Sequence, residues 1–131
     1  MVVDTSAWVE FLRRTGSAAH TRLRRAIDDR EPVAVTELVI GEVLSGARSP
    51  AEVEALGALM RNFKLLKLGG LAGYEEAAAL SRACRAAGEP IGSITDALVA
   101  VPAIRARVPV LHADADFDRL ARHTALEIVQ L

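Results

Sequence analysis

The chain has 131 residues, of which 51% are apolar and 25% charged, and its formal net charge is −1. That length suits one domain, residues 1–131, with a real core. The balanced charge excludes a global basic field, so any nucleic-acid contact has to use local patches. Three Phe, one Tyr and one Trp are too few for base stacking to be the main device.

The single cysteine, Cys84, excludes an internal disulfide and fits a reducing cytoplasm. It lies among alanines and reads as a small core residue. The start of the chain has no basic segment ahead of its apolar residues and carries Asp4 and Glu10, which does not read as a signal peptide. No apolar run is long enough to span a membrane. The expectation is a cytoplasmic protein without membrane contact. Its cations are nearly all arginine, the lysines being Lys64 and Lys67. Arginine suits bidentate phosphate contacts, but a GC-rich genome produces the same bias.

Taken in order, Met1-Val2-Val3 reads as a minimal strand that ends at Asp4. Thr5 to Arg14 reads as a helix with Ala7, Trp8, Phe11 and Leu12 on one side, and Ala18 to Asp29 as a second helix stopped by Pro32. Val33-Ala34-Val35 is the second strand. Thr36 can cap a third helix to about Ala47. Ser49-Pro50-Ala51-Glu52 combines an N-cap, a first-turn proline and a capping-box acid, so it opens a fourth helix to about Asn62. Phe63 to Leu68 is the third strand. Leu71 to Ala87 is an alanine-rich helix with Gly88 beyond its end. Ser93 to about Arg107 is a sixth helix, kinked or loosened at Pro102. Val108 to Leu111 is the fourth strand, about Asp116 to Arg122 a seventh helix, and Leu126 to Leu131 a fifth strand.

Short continuous apolar strands alternating with helices predict an α/β protein: a three-layer α/β/α sandwich around a five-stranded parallel sheet. The first strand is expected at its centre, with the fourth beside it.

The chemistry lies in the acids. Asp4 ends the first strand, and Asp114, Asp116 and Asp118 follow the fourth. Glu42 lies on the third helix at the edge of an apolar stripe, where a carboxylate needs a partner. Asp96 lies in the first turn of the sixth helix. Each has a bland alternative. Asp4 or Asp116 could cap a helix, Asp96 could close a capping box with Ser93, Glu42 could pair with an arginine, and Asp118 reads as a first-turn acid favoured by the helix dipole. Jointly the bland readings fail, because several acids fall where a parallel sheet gathers its ligands and no lysine lies beside them. Clustered carboxylates repel unless a cation joins them. Oxygen-only ligands select Mg²⁺ or Mn²⁺ over structural Zn²⁺, and such an ion serves phosphodiester attack. His112 either orients a water or phosphate or supports the acids from behind. Thr5, Ser6 and Thr95 adjoin acids and either hold water at the ion or cap helices.

Four segments then carry a resemblance: Val-Val-Asp-Thr-Ser-Ala-Trp, Thr-Glu-Leu-Val-Ile-Gly-Glu-Val, Ile-Thr-Asp-Ala-Leu-Val-Ala and Val-Leu-His-Ala-Asp-Ala-Asp-Phe-Asp. In this order and spacing they resemble the PIN-domain nucleases, and more narrowly the VapC toxins of bacterial toxin–antitoxin pairs. The resemblance covers the whole chain. It implies a five-stranded α/β/α sandwich and Mg²⁺- or Mn²⁺-dependent endonucleolytic cleavage of structured RNA such as tRNA or rRNA. It also implies a cognate VapB-type antitoxin and a homodimer or toxin–antitoxin hetero-oligomer. Its four acids map onto Asp4, Glu42, Asp96 and Asp114, with Asp116 a further ligand or an outer acid. Two departures stand out. Ala113 occupies a position that is often polar in the family, and Pro102 interrupts the helix that carries Asp96.

Large apolar residues on the first, second and fourth helices (Trp8, Phe11, Leu12, Leu23, Leu56, Leu59 and Met60) either fill the core or line a groove for an antitoxin's amphipathic segment. Two other classes use similar acids. A haloacid-dehalogenase-type phosphohydrolase needs an Asp-x-Asp pair after its first strand and a later lysine, but here Asp4 is followed by Thr5 and Ser6. A non-catalytic receiver-like or protein-binding domain is the other, and a receiver should carry a lysine near its last strands.

Overall fold

Val2–Val3 forms the first strand, β1, in a computed structural model that describes residues 1–131. The chain then runs α1 (Thr5–Leu12), α2 (Ala18–Asp28), β2 (Ala34–Thr36), α3 (Glu37–Ser45), α4 (Pro50–Met60), β3 (Lys64–Leu66), α5 (Gly70–Ala86), α6 (Ile94–Ala106), β4 (Val110–Leu111) and α7 (Ala115–His123). Every expected helix is present, and most ends fall within two residues of the sequence pattern.

The sheet is parallel, with strand order β3-β2-β1-β4. β1 is fully buried and paired on both sides, Val2 facing Ala34 on one and Val110 on the other. β3 lies at the edge, and its exposed Lys64 and Leu65 give that edge a charged residue. The crossovers from β1 to β2 and from β2 to β3 advance one way, and the return from β3 to β4 reverses it. Right-handed crossovers therefore put α1 to α4 on one face and α5 and α6 on the other. Within these layers α1 packs on α2, α3 on α4, and α5 on α6 and α7.

The expected fifth strand is not formed, and the sheet has four strands. Residues 126–131 contribute only a parallel bridge between Val110 and Ile128. Val110 gives its N–H to Glu127 and accepts from Val129. The ladder cannot extend, because the N–H of Val108 bonds Ala103 at the end of α6 and the chain turns away after Leu111 into the acid-bearing loop.

The core is a cluster of 26 buried residues that includes Trp8, Leu23, Met60, Leu111, Phe117 and Leu120. α6 is its central helix, buried from Ala97 to Ala103. It runs through Pro102 without interruption, so the expected kink or loosening does not break it. Ser49 caps α4 by accepting the Glu52 N–H, as its sequence signature requires.

Gly73 marks the closest approach of a helix to the segment after β3. A Cβ there would lie 2.2 Å from the Leu68 carbonyl oxygen and 2.5 Å from Leu68 Cγ. Gly73→Ala ought to stabilise a helix by about 1 kcal/mol on propensity alone. Here the clash should dominate, and stability should fall by about 1–3 kcal/mol. Urea unfolding measures the sign directly, and a stabilised variant would show that α5 does not press on Leu68.

Candidate active site

Strand order reverses at β1, so a crevice opens beyond the C-terminal ends of β1 and β4. Helices crossing back over a parallel sheet run against the strands, which brings their N-terminal turns to the same edge. Asp4 follows β1, Asp114 follows β4, Asp96 lies in the first turn of α6 and Glu42 lies on α3. The topology thus delivers all four acids to one rim.

Asp4 is the innermost, only 4% exposed. Its Oδ2 accepts the Ser6 N–H (2.9 Å) and the Ser6 hydroxyl (2.6 Å), so it also caps α1. Burial pushes its carboxyl above the usual range; the Ser6 bonds oppose that rise and Glu42 adds to it. Ser6 Oγ in turn accepts the Ala113 N–H at 2.9 Å. The backbone of Ala113 therefore supplies a hydrogen bond at the position where the side chain lacks one. Ser6 clips the loop after β1 to the loop after β4.

Asp96 stands at the electrostatic centre. Its carboxyl is pushed up to about 7, first by burial and then by the charges of Asp114, Asp4, Asp116 and Glu42. The cap of α6 is made by Ser93, which accepts the Thr95 N–H, so the capping-box reading of Asp96 is not realised. Thr95 Oγ1 bonds Ser93 Oγ at 2.7 Å and serves that cap. One carboxylate oxygen each from Asp96, Asp114 and Asp116 lie within 4.8 Å of one another.

Asp114, rather than Asp116, is the N-cap of α7, its Oδ1 accepting the Asp116 N–H at 2.9 Å. His112 Nδ1 accepts the Asp114 N–H at 3.1 Å, and Nε2 lies 3.6 Å from Asp118 Oδ1. Its ring packs on Phe117 with centroids 5.1 Å apart. His112 thus orients the acid loop from behind. Glu42 lies outside the group of three and is held by the Thr5 hydroxyl, which donates to Oε1 at 2.7 Å.

Two neighbours escaped the sequence reading. Asp116 Oδ1 pairs with Arg119, and its Oδ2 accepts the Gly92 N–H at 2.9 Å. The only signal for Arg119 was its i,i+3 spacing from Asp116 on a helix. Gly92 had none, because the contact crosses between distant loops.

The expected groove residues divide. Trp8 and Met60 are 0% and 1% exposed and Leu23 is also buried, so these are core residues and offer no surface to a partner. Trp8 packs against Phe11 and Phe63. Leu12 is exposed, and Phe11, Leu56 and Leu59 are half-buried. A cavity of about 450 Å³ next to the acids is lined by Thr5, Leu12, Arg13, Glu42, Arg48 and Leu56 among others.

The donor set fits a hard divalent cation, because all the candidate ligands are carboxylate oxygens, and the charges crowding Asp96, which add to its burial in raising its carboxyl, are ones a cation would offset.

Residues 1–123 match the PIN domain family. The chain is 39% identical over 128 residues to VapC ribonuclease Mb1587 of Mycobacterium bovis and to ribonuclease VapC11 of Mycobacterium tuberculosis. Each match covers 97% of this chain and 96% of the relative. In fold it is similar to VapBC2 of Rickettsia felis, solved with a DNA fragment from its promoter, at TM-score 0.73 and 13% identity. It is also similar to VapBC-5 of Mycobacterium tuberculosis, at TM-score 0.68 and 21% identity. Both likenesses cover 99% of this chain and 97% of the other.

The raised Asp96 carboxyl gives a signed pH dependence. An acid whose folded pKa lies above its unfolded value near 3.8 keeps its proton on folding through the window between the two. The folded state then binds more protons than the unfolded state, and stability falls as pH rises from about 4 to about 7. Metal-free protein should therefore melt at a higher temperature at pH 5 than at pH 7, with Asp96→Asn flattening the difference and raising the melting temperature at pH 7. Thermal melts in EDTA at both pH values check this, and an Asp96→Asn variant that melts lower at pH 7 would contradict it.

Proposed function

This chain belongs to the PIN domain family, and from that premise we propose that it is a divalent-metal-dependent endoribonuclease, the toxin of a VapBC-type toxin–antitoxin pair. The observation that carries the reading is the gathering of carboxylate oxygens of Asp96, Asp114 and Asp116 within 4.8 Å of one another next to the buried Asp4, with the Asp96 carboxyl pushed up to about 7 by burial first and then by the charges of the others. Mg²⁺ or Mn²⁺, when bound, supplies the Lewis acid that activates water and steadies charge on the leaving oxygen. Asp4, Asp96 and Asp114 would hold the ion. Glu42, held at Oε1 by the Thr5 hydroxyl, adds its charge to the rim. Ser6 keeps Asp4 and the Asp114 loop in register, and His112 holds that loop from behind. The reaction is water attack on an RNA phosphodiester, in structured RNA such as tRNA or rRNA, in the cytoplasm. No helix of the chain is long and apolar enough to cross a membrane.

The competing classes lose their chemistry in this fold. A phosphohydrolase or receiver needs a lysine at the acids, but Lys64 lies on β3 and Lys67 just after it, at the sheet edge opposite β4.

Asp4→Asn and Asp96→Asn preserve side-chain shape and remove charge. Each should lower Mn²⁺-supported cleavage of bulk tRNA or rRNA by at least a hundredfold, and EDTA should abolish wild-type cleavage. Full activity in both variants, or wild-type cleavage undiminished by EDTA, would sink the metal-nuclease reading.

The antitoxin is proposed to lay an apolar segment over Leu12 and Leu56 beside Glu42, covering the acids from one side. Leu12→Asp and Leu56→Ala should each weaken antitoxin binding about tenfold or more, in the manner of interface anchors, with cleavage by the free protein retained. Calorimetric titration with the antitoxin reads this, and unchanged affinity in both would move the groove elsewhere. Trp8→Ala is not a useful probe, since emptying a buried Trp site costs about 3–5 kcal/mol of fold stability.

A further inference from the structure

We propose that Arg119 is a substrate-phosphate residue of this site and that Asp116 is its anchor rather than a metal ligand. This rests on the nuclease reading and assigns two residues within it. Among the ion pairs of the molecule, Arg119–Asp116 is the one that brings a guanidinium to the acid cluster. The other arginine pairs join Glu31, Asp28, Asp29, Glu76 and Glu89, none of which belongs to it.

Both oxygens of Asp116 are engaged. Oδ2 takes the Gly92 N–H and Oδ1 takes Arg119 Nη1. Asp114 is engaged less, since only Oδ1 caps α7. A hard cation offered these carboxylates meets a free oxygen on Asp114, but on Asp116 it has to displace a charge-assisted bond.

Arg119 is engaged at one nitrogen. A guanidinium has five donors in a fixed fork, so most of its donors remain for another oxyanion. Its side chain is 40% exposed, against 14% for Asp116, so the fork faces solvent while its anchor does not.

Charge explains why such a cation belongs here. Asp4, Glu42, Asp96, Asp114 and Asp116 carry up to five negative charges, and a divalent ion cancels two. The remainder repels an RNA phosphodiester at the place where it must bind. A fixed guanidinium on the rim lowers that repulsion and offers a phosphate two parallel hydrogen bonds. Arg119 follows Asp116 by one helical turn, which holds the fork beside the acid cluster.

The test uses the full chain with Arg119→Gln, Arg119→Lys and Asp116→Asn. Two quantities are measured: Mn²⁺ affinity without RNA, by titration calorimetry, and cleavage of end-labelled bulk tRNA over a range of RNA and KCl concentrations. All three variants should bind Mn²⁺ within about threefold of wild type. Arg119→Gln should raise KM about tenfold or more and make the slope of log(kcat/KM) against log salt shallower by about one. Arg119→Lys should keep the salt slope while KM rises severalfold, because it retains the charge and loses the fork. Asp116→Asn should raise KM and leave the salt slope in place. The proposal is overturned if Asp116→Asn weakens Mn²⁺ binding more than tenfold, or if KM and salt slope are unchanged in Arg119→Gln. Should the Gln variant fail to fold, an unchanged KM in Arg119→Lys would overturn it equally. Failure of the underlying nuclease reading looks different: the wild-type protein itself binds Mn²⁺ and cleaves nothing.

Discussion

Mutual repulsion among carboxylates is the constraint that the rest of this structure has to meet. A parallel sheet sends the ends of its strands and the starts of its helices to the same rim, so acids placed at those points converge whether or not a counter-charge is present. The protein meets the constraint by giving most of the acids a donor. Asp4 has two bonds from Ser6, Glu42 has Thr5, Asp114 has the Asp116 N–H in the first turn of α7, and Asp116 has Gly92 and Arg119. Asp96 is the exception: without such a donor, its carboxyl is pushed up to about 7 by burial first and then by the charges of its neighbours. The capping bonds and the metal-site geometry are therefore not rival accounts of the same residues. The caps fix where the carboxylates point, and their crowding makes a cation welcome.

Much of the fold was legible because its signals are local. Strand-ending acids, the Ser49-Pro50 helix start and the alternation of apolar runs with helices need no distant information, and they located seven helices and four strands. The fifth strand was misjudged because an apolar run shows that a segment is buried, not that its neighbour has free backbone groups. Val110 offers the only usable pair on that edge. Trp8 and Met60 were ambiguous for a related reason. A large apolar residue on a helix near the surface has the same pattern whether it faces the sheet or a partner, and only three-dimensional packing shows that both are enclosed.

At the site, the sequence named the acids but not the bonds among them. Ser6 was visible as a neighbour of Asp4, yet its bond to Ala113 spans 107 residues. Arg119 is not legible as a partner of the acids, because an arginine one helical turn past Asp116 has the pattern of an ordinary surface residue. Ala113 looked like a deficit because a backbone N–H leaves no mark in the sequence. In each case the missing information was a contact between segments remote along the chain.

The same 107-residue span bears on how the protein is made. β1 emerges first and needs β4 on one side, but β4 follows β2, β3 and six helices. Closing so long a loop is slow compared with forming the local helices. Until it closes, Asp4 and Asp114 stay apart and the acid rim is unformed. The rim is thus among the last features of the domain to be assembled, because its two strand-end acids come from the first strand and the last.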